Sequence, residues 1–152
     1  MSKSKGLSAC PACGGAVRRQ ISEHREVFGP YTVIDKSQRI ATCTKCGETF
    51  VSLAEKHRFE LRAAQVVLHD VAKVPGEVIR GVRKALGLKQ GELAGLLDVR
   101  VETLSRYETD DAEVPRAVQL AVADLCARAE LSDGSVDALK PKKTTSKTLR
   151  VA

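Results

Sequence analysis

The sequence predicts two small domains: an N-terminal β-rich module built on four cysteines and continued by a helix, then a C-terminal all-α bundle. Three observations predict this. Two Cys-x-x-Cys-Gly motifs, Cys10-Pro11-Ala12-Cys13-Gly14 and Cys43-Thr44-Lys45-Cys46-Gly47, enclose a stretch with strand-like alternation and a central turn. From residue 75 the apolar period becomes that of helices, punctuated by Pro75, Gly87 and Pro115. A length of 152 residues suits one ordinary domain or two small ones.

With 43% hydrophobic and 29% charged residues, the composition is that of a globular protein. No run approaches the roughly 18 apolar residues of a membrane span, and no signal peptide is read before the first cysteine. The expected compartment is the cytoplasm, where thiols stay reduced, so five cysteines point to metal or buried thiols rather than disulfides. The net charge of +6 suits a polyanionic partner but is unevenly spread. Residues 1–72 hold 11 Lys and Arg against 7 Asp and Glu, residues 73–130 hold 9 against 10, and residues 131–152 hold 5 against 2. The helical part is therefore not itself basic.

Residues 1–9 read as a small, polar, loose arm, and residues 10–72 as the cysteine domain. In each motif two intervening residues let one tight turn aim both sulfurs at one ion, and the following glycine permits the positive φ that closes the turn. Cys10, Cys13, Cys43 and Cys46 together supply four thiolates, a closed tetrahedral site with no position open to water or substrate. Zinc is the expected metal, one structural ion per chain, contributing on the order of 10 kcal/mol to folding a module with so little core of its own. A thioredoxin-like redox role needs a βαβ setting that the sequence lacks. A rubredoxin-like electron-transfer iron site shares the ligand spacing, but the aromatic residues expected around such iron are missing. His24, His57 and His69 read as surface or half-buried residues, since four thiolates already complete the site.

Between the motifs, residues 16–27 and 31–42 read as strands with Val17, Ile21, Val33 and Ile40 apolar, joined by a turn at Phe28-Gly29-Pro30. A helix follows over residues 53–71. Its apolar stripe is Leu53, His57, Leu61, Ala64, Leu68 and Val71, with Glu55, Lys56, Arg58, Glu60 and Arg62 toward water. Val74-Pro75-Gly76 breaks it and marks the domain boundary, the second domain covering residues 75–130.

That domain opens with a helix over residues 77–86, with Ile79, Val82 and Leu86 inward and Gly87 as its C-terminal stop. Residues 86–108 then hold two short amphipathic helices around a turn at Asp98-Val99. Leu93, Ala94, Leu96 and Leu97 face inward from the first, and Val101, Leu104 and Ser105 from the second. Glu102, Thr103 and Arg106 are left on the outer side. Such a pair is the helix-turn-helix device for entering a major groove, or an ordinary hairpin within a bundle.

As a DNA reader, its roles divide by chemistry. Lys89 and Gln90 open the first short helix, where backbone N–H groups suit a phosphate. Arg100 is placed as a phosphate clamp. Arg106 can pair with guanine or hold phosphates, Thr103 can touch a base edge or a thymine methyl, and Glu102 can accept from a cytosine amino group. A last helix runs from Pro115 to about residue 130 with Val118, Ala121, Val122, Leu125 and Ala129 as its stripe, making it the expected homodimer face. Cys126 reads as a small buried hydrophobe rather than a nucleophile, and no acid–base set accompanies it, so no enzyme activity is expected. Residues 131–152, with their lysines, read as a basic disordered tail.

The residues Gly87-Leu88, Gln90, Glu92-Leu93-Ala94, Val99, Leu104 and Ser105-Arg106-Tyr107-Glu108 make residues 79–129 resemble the XRE/Cro-type helix-turn-helix family. That resemblance implies a DNA-backbone or base contact for Gln90 and a structural salt bridge between Arg83 and Glu108. Together with the paired Cys-x-x-Cys-Gly motifs, the chain from Cys10 to about Leu131 resembles the MqsA (YgiT)-type zinc finger/helix-turn-helix antitoxins. The resemblance implies an N-terminal zinc module that neutralises a cognate ribonuclease toxin. It also implies a C-terminal domain that dimerises on a palindromic operator in double-stranded DNA and represses its own operon. Arg106 matches the family's base-reading arginine; Glu102 replaces an asparagine, so the operator should differ. A stand-alone regulator of the same architecture, without a toxin, is the alternative.

Overall fold

The computed structural model describes residues 7–132 and Leu139. Residues 1–6 of the expected arm, and most of the expected tail, lie outside the described residues. Among those described, an antiparallel sheet of order β1-β2-β3 precedes five helices. The strands are β1 (Val17–Phe28), β2 (Tyr31–Cys43) and β3 (Thr49–Phe50). The helices are α1 (Leu53–Asp70), α2 (Gly76–Ala85), α3 (Gln90–Leu96), α4 (Val101–Glu108) and α5 (Arg116–Leu131).

β1 and β2 form a long hairpin turned at Gly29, whose φ of 57° is open to glycine at little steric cost. The register shifts once, between Ser22 and His24, where β2 carries the extra residue. Alternation therefore breaks in β2, at Lys36-Ser37, while in β1 it runs unbroken from Ile21 to Phe28. Ile21, expected as an apolar position, pairs with Arg39 and is 65% exposed. Instead His24, Glu26 and Asp35 are partly buried and Gln38 is fully so.

α1 starts with a capping box that the sequence analysis passed over: the Ser52 hydroxyl accepts from Glu55 N–H, and the Glu55 carboxylate accepts from Ser52 N–H. Its buried stripe is Phe59, Leu61, Ala63, Ala64, Val67 and Leu68. Leu53, expected on that stripe, is 87% exposed because it sits at the helix's first position, beyond the neighbours it would pack on. Phe59 takes the inward place instead, meeting the His24 ring edge-on at 4.5 Å. Arg62 does not simply face water. It pairs with Glu130 at 3.1 Å and Asp35 at 3.6 Å and donates to Gln38 at 3.4 Å, tying hairpin, α1 and α5 together.

The core continues across Val74-Pro75-Gly76. Leu61, Ala64, Val67 and Leu68 of α1 share one cluster with Val78, Ile79 and Val82 of α2, Leu93 of α3, Leu104 of α4 and Val122, Leu125 and Ala129 of α5. Phe28 at the hairpin tip belongs to it too. α1 lies along α5, and α5's first turns cap α1's end. Arg116 donates to the carbonyls of Leu68, His69 and Val71, and buried Gln119 donates to those of Leu68 and Val71. The apolar stripe of α5, expected to face a second copy, is thus covered largely by α1 of the same chain. Ala121, expected within that stripe, is exposed; Gln119 and Ala123 occupy the buried side.

α3 and α4 are the two expected short helices. α3 ends as expected at the turn, where Asp98 adopts φ 54° and Val99 N–H closes on Ala94 O. Leu93, Ala94 and Leu104 are buried, Leu96, Leu97 and Ser105 half-buried. Val101, expected inside, is 43% exposed: it stands at the first position of α4, and the residue of α3 it stands beside, Gly91, offers no side chain to pack on.

Candidate functional site

The hairpin register brings the two cysteine motifs together. Val17 pairs with Cys43, so the turn preceding β1 lies beside the turn following β2. The two turns are built alike. Cys10 N–H donates to Gly15 O while Gly14 N–H donates to Cys10 O; Cys43 N–H donates to Glu48 O while Gly47 N–H donates to Cys43 O. Gly14 and Gly47 hold φ of 69° and 75°, the positive values the motif requires. Thr44 stitches the turns, giving both its N–H and its hydroxyl to Ala16 O.

The four sulfurs all lie within 4.8 Å of one another. Cys10 and Cys46 sulfurs are 3.6 Å apart, Cys13 and Cys43 sulfurs 3.5 Å. A tetrahedral ion with metal–sulfur bonds of about 2.3 Å separates its ligands by about 3.8 Å, so the set fits one four-coordinate metal. The electrostatics agree. The N–H of Cys46, then that of Lys45, hold the Cys43 thiol at about 6 despite its burial. The N–H of Glu48 favours a Cys46 thiolate, yet the crowding Cys13 and Cys43 sulfurs push that thiol up to about 12. At Cys13 the N–H of Gly15 lowers and the Cys43 sulfur raises, and the thiol ends above its ordinary value. Four thiolates cannot stand side by side without a cation to share them. Among the described residues no histidine joins the cluster.

Gly15 is a residue of this site that the sequence analysis missed. A Cβ there would lie 2.8 Å from Lys45 Cβ and 3.0 Å from Cys43 Sγ, so only glycine lets the chain pass so close to the sulfurs. The doubled glycine after Cys13 was the available signal.

The second set of residues lies on α3 and α4. Lys89 is the N-cap of α3, its N–H held by the Glu92 carboxylate at 2.7 Å. Gln90, expected to face phosphate, donates to the Glu108 carboxylate at 3.1 Å. That carboxylate also accepts from Arg83 at 2.6 and 3.1 Å, which is the Arg83–Glu108 bridge expected from the resemblance. Burial works against the Arg83 charge, but Glu108's hydrogen bonds outweigh it and raise the guanidinium's affinity for its proton. Arg100 is the N-cap of α4. Glu102 and Arg106 are exposed and Thr103 is half-buried, one turn of α4 joining the three. Lys89, Arg100, Glu102 and Arg106 are exposed, and their side chains have no hydrogen-bond or ion-pair partner among the described residues.

Cys126 is fully buried, away from the other four cysteines, and its desolvation pushes the thiol up to about 12. No helix among the described residues is long and apolar enough to cross a membrane.

Comparison with curated proteins finds no match. The family described as the antitoxin component of bacterial toxin–antitoxin systems, MqsA, matches residues 8–133, which takes in both cysteine turns, the hairpin and all five helices. The chain therefore belongs to the MqsA antitoxin family.

Proposed function

We propose that this antitoxin is a sequence-specific DNA-binding repressor of its own operon. In this reading α3 and α4 form a helix-turn-helix of XRE/Cro type, and α4 is the recognition helix. The observation that carries it is the α4 surface: Arg106 and Glu102 are exposed, with no side-chain partner among the described residues, on a helix whose opposite side, at Leu104 and Glu108, is locked into the core. A rigidly held short helix with free polar groups is what major-groove readout needs. Arg106 reads guanine, Thr103 a neighbouring base edge, Glu102 a cytosine amino group, and Lys89 and Arg100 hold phosphates. Gln90 keeps the start of α3 in place through Glu108 and reaches the backbone from there.

The four-cysteine site binds one structural zinc per chain, and the arm it stabilises takes up the cognate toxin, a ribonuclease. The site is closed by four thiolates and performs no catalysis. Because α1 covers the apolar side of α5, dimerisation on a palindrome uses the outer side, where Ala117, Leu120 and Ala121 are exposed. The compartment is the cytoplasm.

The test is footprinting of the promoter upstream of this gene. The wild-type chain should protect a palindrome, and Arg106→Ala should bind it 5- to 150-fold more weakly, about 1–3 kcal/mol for a bidentate contact. Equal binding by wild type and Arg106→Ala would remove α4 from the recognition role.

A further inference from the structure

β2 has an open edge. β3 pairs with it only at Ala41 and Thr42, so along the rest of its length β1 is its sole strand neighbour among the described residues. Gly29 at positive φ followed by Pro30 makes a two-residue turn, whose closing pair Phe28–Tyr31 exchanges hydrogen bonds. Hydrogen-bonded and non-hydrogen-bonded pairs alternate from there. Tyr31, Val33 and Asp35 therefore spend their backbone groups on β1. Thr32 and Ile34 aim theirs the other way, where no backbone partner meets them among the described residues. A cavity of about 900 Å³ runs along this edge. Residues 33–37 of β2 all line it, although successive side chains of a strand point to opposite faces, so the space lies at the strand's edge. Its far wall is α1, at Phe59, Ala63 and Val66. Ile34 and Val66, 48% and 45% exposed, leave apolar surface open on its two sides.

We propose that the toxin docks here, an extended segment of it adding as a further strand to β2. The inference rests on the toxin-binding reading above and gives it a surface. Main-chain bonds to Thr32 and Ile34 would supply affinity, and the channel would select one apolar side chain. The rim sets the charge of the segment. Three carboxylates, Asp35, Asp70 and Glu130, stand there against two cations, and one of these, Arg62, is already held by Asp35 and Glu130. That acidic rim belongs to an arm whose residues 1–72 are otherwise basic, 11 against 7. It suits a ribonuclease, which must hold a polyanion and so carries basic segments. β1 is open on its other side as well, but the cavity there is smaller, about 300 Å³, with Arg25 and Lys56 against Glu26. The bulge at Lys36-Ser37 ends the usable edge of β2, so the added strand is short.

The experiment titrates the full-length, zinc-loaded chain with the purified product of the toxin gene in its operon, by isothermal titration calorimetry. It compares wild type, Ile34→Pro, Val66→Glu and Arg25→Pro, each first shown to keep its circular dichroism and zinc content. Ile34→Pro removes an outward N–H and crowds an added strand while sparing the ladder to β1. Val66→Glu places a charge in the channel from an exposed helix position. Each should weaken toxin binding about 10- to 100-fold. Arg25 pairs with Ile34 and aims its N–H at the opposite edge, so Arg25→Pro should bind as wild type does. Amide exchange on the wild type adds a readout that needs no variant: bound toxin should slow exchange at Thr32 and Ile34 and leave Arg25 unchanged. If Ile34→Pro does not fold, Val66→Glu and the exchange data decide. Wild-type affinity in Val66→Glu, with Thr32 and Ile34 still exchanging freely in the complex, overturns the proposal and leaves toxin binding to another surface. Loss confined to Arg25→Pro moves docking to β1 and overturns it too. Self-association that Ile34→Pro abolishes, with toxin affinity unchanged, gives the edge to a second copy of the chain and likewise overturns it. If the wild type does not bind the toxin at all, the toxin-binding reading itself falls, and the docking edge with it.

Discussion

Glu108 offers the sharpest test of how the helical half is held. It is 3% exposed, and every group around its carboxylate is a donor: Arg83 through Nε and Nη2, and Gln90 through Nε2. Its own backbone carbonyl accepts from Arg80 at 2.6 Å. Replacing Glu108 with Leu leaves the Arg83 guanidinium largely enclosed without a counter-charge, while water cannot fully replace the lost oxygens. Breaking a buried ion pair from one side costs about 3–5 kcal/mol. Arg83 keeps some exposure, which places the expected loss near the lower end, about 3 kcal/mol. For a chain of this size that corresponds to a fall in Tm of roughly 6–12 °C. Arg83→Met should cost a comparable amount, because it strands the carboxylate instead. The double variant Arg83→Met/Glu108→Leu removes both charges and leaves apolar groups of similar volume, so it should lose less than either single variant. Urea unfolding followed by circular dichroism, at constant zinc and pH 7, measures all four proteins. If the two single losses simply add in the double variant, the buried-pair account of Glu108 is wrong.

Three other outcomes are expected. Gly15→Ala pushes a methyl group against Lys45 and the Cys43 sulfur, and should weaken metal binding 10- to 100-fold in a competition against a chromophoric chelator. Gly76→Ala should lower stability by about 1–3 kcal/mol in thermal melts, although alanine normally favours a helix by about 1 kcal/mol; the new Cβ would run into the backbone of Tyr107 and Glu108 at the end of α4. Cys126 should resist alkylation at pH 8 in the folded chain and react at once in denaturant, as mass spectrometry after iodoacetamide would show, because burial holds its thiol protonated.

Much of this fold could be read where one local rule acts alone. The cysteine turns are such a case, since spacing and a positive-φ glycine determine their geometry, and Gly14 and Gly47 behave as the rule requires. Gly87 ends α2 for the same reason, at φ 68°. Legibility failed where a distant element decides. Ile21 is on the outside because it shares a face of β1 with Glu23, Arg25 and Val27, while the more polar set Ser22, His24 and Glu26 turns inward with Phe28, and only the elements packed against that face decide which side is in. Gln119 looks like a surface residue until α1's end, with carbonyls in need of donors, is placed against it. Arg62 reads as a water-facing residue from α1's own period, whereas the hairpin and α5 flank it from two sides with Asp35 and Glu130. The helices do not divide into separate cores at Val74-Pro75-Gly76 for the same reason: proline and glycine stop a helix, but they do not stop burial.

Gln90 shows most clearly why the site was harder to read than the fold. Its place at the opening of α3 predicts a phosphate contact, and that residue type at that offset carries the family resemblance. In the folded chain its amide is bound to Glu108, which closes α4 and also holds Arg83 of α2. α3 has only seven residues, too few to be helical alone, so its direction is determined wholly by such contacts and by Leu93 and Ala94 beneath it. A glutamine that both fixes the helix and faces outward spends part of its hydrogen-bonding capacity before any partner arrives, leaving its carbonyl oxygen and the exposed charges of Lys89, Arg100 and Arg106 for that partner. The cations that can meet a partner are thus those the fold does not need. On the proposed DNA-binding reading, the residues that hold α3 and α4 in place and those left to meet DNA are almost entirely different, with Gln90 standing in both sets.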